Sequence, residues 1–497
     1  MLCCASRSWG QSLRSTISYS DDTMMNSKQS YLEADAVLFQ PILKTGKNFI
    51  VMTVLLLALT TFGAYAYLTQ YRTGLGVTGL SRQIFWGIYI INFVFFIGLS
   101  HAGTFISAVL RITRAEWRRP ITRASELITV IALFFGVCNV IIDLGRPDRI
   151  LYILRYPHFR SPLLWDVCSI SAYLVCSSIL LYLALIPDIA LLRDHAGKRQ
   201  VFYRVFSLGY TGTKEQRIRL EKAISFMSIL VIPVMVTVHT VVSYIFAMTI
   251  QPGWHSAIFG PYFVCGALYS GVASVIIIMV LLRKYYGLEN YIRPAQFQNL
   301  GTLLCVLTFL WFYFALGEQV TTIYGNDPVQ MGVFRSRLTG PFAPQFWSMV
   351  LFCFVIPLPL LVLKRSRNIT GIFIASVSVL IGMWLERFVI IIPTLTRQRL
   401  MIGSHSYWPT WVEWSIMAGC FSFFMLIYLL FTKFFPIVSV WEVKEGRERS
   451  LEEVRERFKT YHPAERENTI PAAVSEFTLS FEKQFPELSS DEIVRRN

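Results

Sequence analysis

The chain has 497 residues, 54% hydrophobic and 15% charged, with a formal net charge of +15. Water-soluble chains carry roughly 25% charged residues, so this composition excludes an ordinary soluble domain and points to lipid as the solvent. The basic excess would suit a nucleic-acid binder, but its distribution along the chain ties it to membrane topology instead.

Apolar runs long enough to cross about 30 Å of hydrocarbon recur ten times, near 48–68, 83–111, 123–143, 162–186, 223–250, 257–283, 296–316, 344–363, 370–393 and 411–436. They predict an all-α polytopic membrane protein in three parts: an N-terminal tail over 1–44, a ten-helix membrane domain over 45–436 and a C-terminal tail over 437–497. Residues 1–40 are polar and lack the compact apolar core and small-residue cleavage site of a secretory signal, so the first run is expected to be a true membrane helix. Small residues line the second run at Gly98, Ala102 and Thr104, and the sixth at Gly266, Ser270, Gly271 and Ser274. That spacing lets membrane helices approach closely, and packing is the preferred reading of it. Long loops at 187–222 and 317–343 are candidate docking surfaces. In the C-terminal tail, SLEEVRERF (450–458), with Ser450 as N-cap and Glu453 three residues on, predicts a short helix.

Loops that follow even-numbered runs hold 19 Lys and Arg, against 10 in the opposite loops. Lys and Arg accumulate on the cytoplasmic side of membrane proteins. Both termini are therefore expected in the cytoplasm, and the basic excess is topological, with no nucleic-acid partner. The nine cysteines include no CxxC pair. Apart from Cys3–Cys4 in the tail they fall in or beside the apolar runs, as small hydrophobes do, and no set of them would hold an iron–sulfur cluster. P-loop, GxSxG, HExxH and Gly-rich dinucleotide motifs are absent from the sequence.

Ionisable residues at membrane depth are expensive and so are functional candidates. Asp143 ends the third run in IIDLGRP (141–147), and Asp166 opens the fourth in RSPLLWD (160–166). The alternation of runs puts both on the outer side, joined by a loop holding Arg146, Asp148, Arg149, Arg155 and Arg160, and an Asp–Arg network fixing that loop is the structural alternative. Glu386 and Arg387 lie together inside the ninth run, in MWLERFVII (383–391). Adjacent helical residues point about 100° apart, so each is expected to find a partner on another helix, with Asp143 or Asp166 as candidates for Arg387; an interhelical salt bridge is the alternative. Glu318, expected just past the outer end of the seventh run, either binds a partner or caps its loop. His101, placed nearer the cytoplasm, and His239, placed mid-membrane, are the histidines well inside runs. Haem ligation is one reading of this pair, and a proton relay or a polar interhelical contact is the preferred one.

FRSPLLWD (159–166) followed by ISAYL (170–174) resembles the NrfD/PsrC family of quinone-interacting membrane subunits. WGIYIINFVFFIGLSHAGTFISAVL (86–110), LIPDIALLRD (185–194), HTVVSYIFA (239–247), PGWHSAIFGPYFVCGALYSG (252–271), GMWLERFVII (382–391) and YWPTWVEW (407–414) look like ActC-type subunits of alternative complex III, over most of 45–440. The resemblance implies two four-helix bundles with flanking helices, in the bacterial cytoplasmic membrane. It implies a pocket for quinol (menaquinone or ubiquinone as the substrate) near the periplasmic face, with Asp166 and Arg387 at positions associated with it and Asp143 beside them. This chain would bind no haem or iron–sulfur cluster itself. Its partners would be an iron–sulfur subunit, multihaem c-type cytochromes, a second NrfD-like subunit and small membrane subunits. Oxidation of quinol would deliver electrons to those partners, with protons leaving through polar residues: His101, His239, Glu386 and Glu318 are the relay candidates. The sequence departs from the pattern twice. Asp143 stands where ActC-like chains read His in HxGRP, and Ile245 stands where they carry an acid. The rival reading is a non-catalytic anchor that docks redox subunits and conducts protons. A secondary transporter fits less well, because paired Gly/Pro breaks are not evident.

Overall fold

The computed structural model describes residues 45–113, 115–195, 199–397 and 406–443, together with 38, 42, 445 and 446. Ten helices are long and apolar enough to cross a membrane: α1 Lys47–Thr73, α2 Ile88–Ile112, α3 Thr122–Asp143, α4 Pro162–Arg193, α5 Lys214–Ala247, α6 Phe259–Tyr286, α7 Pro294–Gly325, α8 Ala343–Val362, α9 Ile369–Leu395 and α10 Trp411–Phe434. No strand occurs among the described residues. Helices satisfy their own backbone groups, as hydrocarbon requires. The chain is thus the expected all-α, ten-span protein.

All ten helices belong to one unit, Thr45–Ser439; a second unit comprises Met1–Lys44 and Val440–Asn497. In that second unit residues 440–443 are helical. The helix predicted over 450–458 and the Cys3–Cys4 pair lie outside the described residues.

Within the first unit, α2 to α5 pack as one four-helix bundle and α6 to α9 as another. Helix α6 joins them by packing on α2 and α5, while α1 and α10 lie along each other beside α3 and α2. The small residues of α6 serve this joint. A Cβ on Gly271 would fall 2.8 Å from the backbone nitrogen of Ala102, and one on Gly98 would fall 3.2 Å from Ser270 Oγ.

The loops are shorter than expected. The helix of α4 continues through Pro187, a short helix covers Gln200–Phe206, and α5 starts at Lys214, capped by the Thr213 side chain. Proline removes one backbone bond. Here neighbours hold the chain on both sides of it: Arg123 Nη1 pairs with Asp188 Oδ2 at 2.5 Å and Nη2 donates to the Ala184 carbonyl at 2.8 Å. The same guanidinium donates to the Pro436 carbonyl at 3.0 Å and Ser439 Oγ at 3.1 Å, fastening the segment after α10. Helix α7 likewise runs on to Gly325, so Glu318 lies inside it. Thr321 and Thr322 there return their hydroxyls to the Gly317 and Glu318 carbonyls at 2.9 Å, which lets polar residues continue the helix.

The two ends of the bundle differ. The arginine-rich end holds buried Arg118, Arg119 and Arg123. The Asp166 end is closed by Glu413 on α10, which accepts from Tyr407 Oη at 2.6 Å, the Gly79 amide at 2.7 Å and the Thr410 amide at 2.9 Å. Burial and that carboxylate push the Tyr407 phenol well above its ordinary value.

Helix α1 is mostly exposed and meets α10 where Gly63 crosses Gly419. A Cβ on Gly63 would stand 2.6 Å from Gly419 Cα and 2.9 Å from the Ser415 carbonyl. Gly63→Val is expected to lower stability by about 1–3 kcal/mol, the range for overpacking, read as a fall in unfolding temperature in detergent. Gly76→Ala, with open space around it, should leave that temperature unchanged.

Candidate functional site

Fully buried ionisable side chains gather where the two bundles meet. Glu386 Oε2 and Arg387 Nη1 lie 2.6 Å apart, both about 1% exposed. Trp311 of α7 donates its indole N–H to Glu386 Oε1 at 2.6 Å. Tyr262 of α6 also lies beside Glu386. The Arg387 guanidinium lies 5.1 Å from the ring centre of Phe263, a favourable position for a desolvated cation. Gly266 makes room for it: a Cβ there would come 2.9 Å from Nη2 and 3.0 Å from Met383 Cε. This α6 glycine therefore serves the site as well as packing.

Arg387 is within electrostatic range of two buried imidazoles, His101 of α2 and His239 of α5. Their rings meet edge to face with centroids 4.5 Å apart. The sequence pattern placed them at different depths; the structure brings them into contact. His101 faces the Ile97 carbonyl at Nδ1 (2.9 Å) and the Met235 carbonyl at Nε2 (3.0 Å). Carbonyls only accept, so a neutral ring serves one of them and an imidazolium serves both. Both nitrogens of His239 are buried without a partner. The two rings thus touch edge to face with no hydrogen bond joining them.

Tyr173 of α4 packs on His101, with ring centroids 5.7 Å apart, and its hydroxyl meets Thr104 Oγ1 at 2.6 Å and the Ser100 carbonyl at 3.1 Å. Asp166 lies seven residues earlier on α4, hence on the same face and about 10 Å nearer that end. Asp166 is 6% exposed, and its Oδ1 is buried without a hydrogen-bond partner. Among the described residues no ion pair reaches it.

Asp143 belongs to a different corner. The carbonyl of the residue before it, Ile142, accepts from Gln70 Nε2 at 3.0 Å, Gln70 accepts from Tyr89 at 2.5 Å, and Glu413 of α10 is in electrostatic range. Asp143 Oδ1 is also buried without a partner. The pairing expected for Arg387 is corrected: its ion partner is the adjacent Glu386, and among the described residues no ion pair joins it to Asp143 or Asp166. Long side chains bridge the 100° between neighbours when burial leaves no nearer counter-charge.

Glu318 accepts from Ser256 Oγ at 2.9 Å and faces Arg337, on the short helix Pro328–Leu338. Arg337 donates to Thr394 Oγ1 at 3.1 Å and the Ile390 carbonyl at 3.5 Å on α9. Burial pushes its guanidinium down to about 10, with Glu318 and Tyr262 acting in the opposite sense. Sequence reasoning missed Tyr173, Tyr262, Trp311 and Arg337. Two of them stand seven residues from an acid in sequence, Tyr173 from Asp166 and Trp311 from Glu318, a spacing that repeats a helical face.

These features define a polytopic membrane protein built around a buried ionisable core. The family profile described as "Polysulphide reductase, NrfD" matches residues 76–398, which enclose α2 to α9 and so both four-helix bundles. The chain belongs to the NrfD family. It is 25% identical over 429 residues to a putative dimethyl sulfoxide reductase membrane subunit of Halobacterium salinarum, covering 81% of this chain and 95% of that one. It is 24% identical over 440 residues to the Hdr-like menaquinol oxidoreductase integral membrane subunit of Archaeoglobus fulgidus, covering 85% and 100%. To the integral membrane subunit of the menaquinone reductase of Nitratidesulfovibrio vulgaris it is 23% identical over 401 residues, covering 76% and 88%.

Removing one member of a buried ion pair strands the other and costs about 3–5 kcal/mol. Glu386→Gln is expected to destabilise the protein by that amount in detergent unfolding. The double change Glu386→Gln with Arg387→Met should recover most of the loss, since no charge is then left unpaired.

Proposed function

We propose that this chain is the quinol-binding membrane subunit of a multisubunit oxidoreductase, with menaquinol-type substrates, and that it belongs to an alternative complex III-like assembly. The observation that carries this reading is Asp166 Oδ1, a buried acceptor with no donor, on the helical face that leads to Tyr173 and the histidine pair. A quinol hydroxyl is a donor of the kind such an oxygen lacks. As the quinol loses two electrons to a partner subunit it must also lose two protons, and Asp166 would take one as general base. Arg387, fixed by Glu386 and Phe263, holds positive charge beside the histidines. It would favour movement of a proton through His101 and His239 over its storage there. Relatives named for menaquinol and menaquinone support the substrate class.

The excess of Lys and Arg in one set of loops supports a bacterial cytoplasmic membrane location, with both tails and the arginine-rich end in the cytoplasm. The Asp166 end would then face the periplasm and present the substrate site to an iron–sulfur subunit, with multihaem cytochromes beyond it. A second NrfD-like subunit and small membrane subunits would complete the assembly.

The rival reading, a non-catalytic anchor, draws on Asp143, which stands with Glu413 and the α1/α10 corner. Quinol-dependent reduction of the partner cytochromes decides between them. In the assembled complex, Asp166→Asn is expected to cut turnover about 100-fold or more, within the range for loss of a general base. Unchanged turnover at saturating quinol would remove Asp166 from the chemistry and favour the anchor.

A further inference from the structure

The polar core continues past Glu386 toward the Asp166 end by a second route, along α7 and α9. Trp311 donates to Glu386, and Glu318 lies seven residues further along α7, on the same face and about 10 Å nearer the end of the bundle. On α9, Ile390 and Thr394 follow Glu386 by one and two turns, and both hold Arg337. Tyr262 of α6 lies beside Glu386 and within electrostatic range of Arg337, which in turn faces Glu318. Beyond Glu318 the groups facing it are Ser256, Arg337 and His255. His255 is exposed and holds Gln330 at 2.9 Å, so the file ends at the surface. The buried Asp166 and Glu318 thus begin two separate files that converge on His101, His239, Arg387 and Glu386.

We propose that Glu318, held by Ser256 against Arg337, is the group through which protons pass between the Glu386 cluster and solvent at the Asp166 end, with Tyr262 bridging the two acids. This rests on the quinol reading above. A proton delivered to Glu386 moves to the Tyr262 oxygen as that hydroxyl gives its own proton toward Glu318. Glu318 then releases one proton to water at His255, and rotation of the Tyr262 hydroxyl, which now carries the proton that came from Glu386, resets the file. No electron moves, and one proton leaves for each that enters. Arg337 is a positioning residue: anchored on Thr394 Oγ1 and the Ile390 carbonyl, it keeps its charge facing Glu318.

The test uses the complete complex with its partner subunits. Glu318→Gln is expected to lower quinol turnover tenfold or more with little change in KM and a raised solvent deuterium isotope effect. Glu318→Asp should restore most of the rate. Tyr262→Phe, which keeps the ring, should reproduce the loss. Wild-type turnover and isotope effect in both Glu318→Gln and Tyr262→Phe would overturn the proposal. So would a loss that Glu318→Asp does not rescue and that tracks a lower unfolding temperature, since that is a structural role. Asp166→Asn run in parallel separates the two claims. If it is impaired while Glu318→Gln is not, only this inference fails; if the wild-type complex turns over no quinol, both fall.

Discussion

A carboxylate and a guanidinium adjacent on one helix and shut away from water impose their needs on everything around them. Glu386 and Arg387 neutralise each other, yet each has further hydrogen-bonding and electrostatic capacity that hydrocarbon cannot serve. The surroundings supply it from other helices: an indole from α7, an aromatic face from α6, and a glycine on α6 where any side chain would intrude. Both bundles must therefore close on one another before the pair is tolerable. The interface between α6, α2 and α9 is where the fold is least free to vary. That the histidines lie beside the same guanidinium makes the structural requirement and the chemistry inseparable.

Much of the architecture was legible because lipid is an unforgiving solvent. Ten runs of apolar residues left little choice of helices, and each run is one. Errors fell at the ends, where polar residues continue a helix. Pro187 did not stop α4, because Arg123 and Asp188 hold the chain across it. Glu318 sits inside α7 because threonine hydroxyls bond back onto the helix. Neither device has a strong local signature.

The site was legible in part. A charge inside an apolar run announces itself, and Asp166, Glu386, Arg387, His101 and His239 were all found that way. Their pairing was not, because helical geometry fixes where a side chain starts and not where a long one ends. Arg387 reached sideways to its neighbour. Tyr173, Tyr262 and Trp311 were invisible because aromatic residues are common in membrane helices for packing alone. Arg337 was invisible because a loop arginine is ordinarily solvated.

The crossing of Gly63 and Gly419 has a consequence for how the protein is made. Helix α1 is synthesised before α10, whose surface it fits, with both four-helix bundles between them. Chains fold from the N-terminal side as they are made. During synthesis α1 must therefore wait in the bilayer without its partner while α2 to α9 assemble, and it docks only when α10 arrives. Its extended apolar surface, which looks wasteful in the finished fold, is what lets it persist alone in lipid. A chain that stops before α10 leaves the Gly63 face of α1 without the surface it fits.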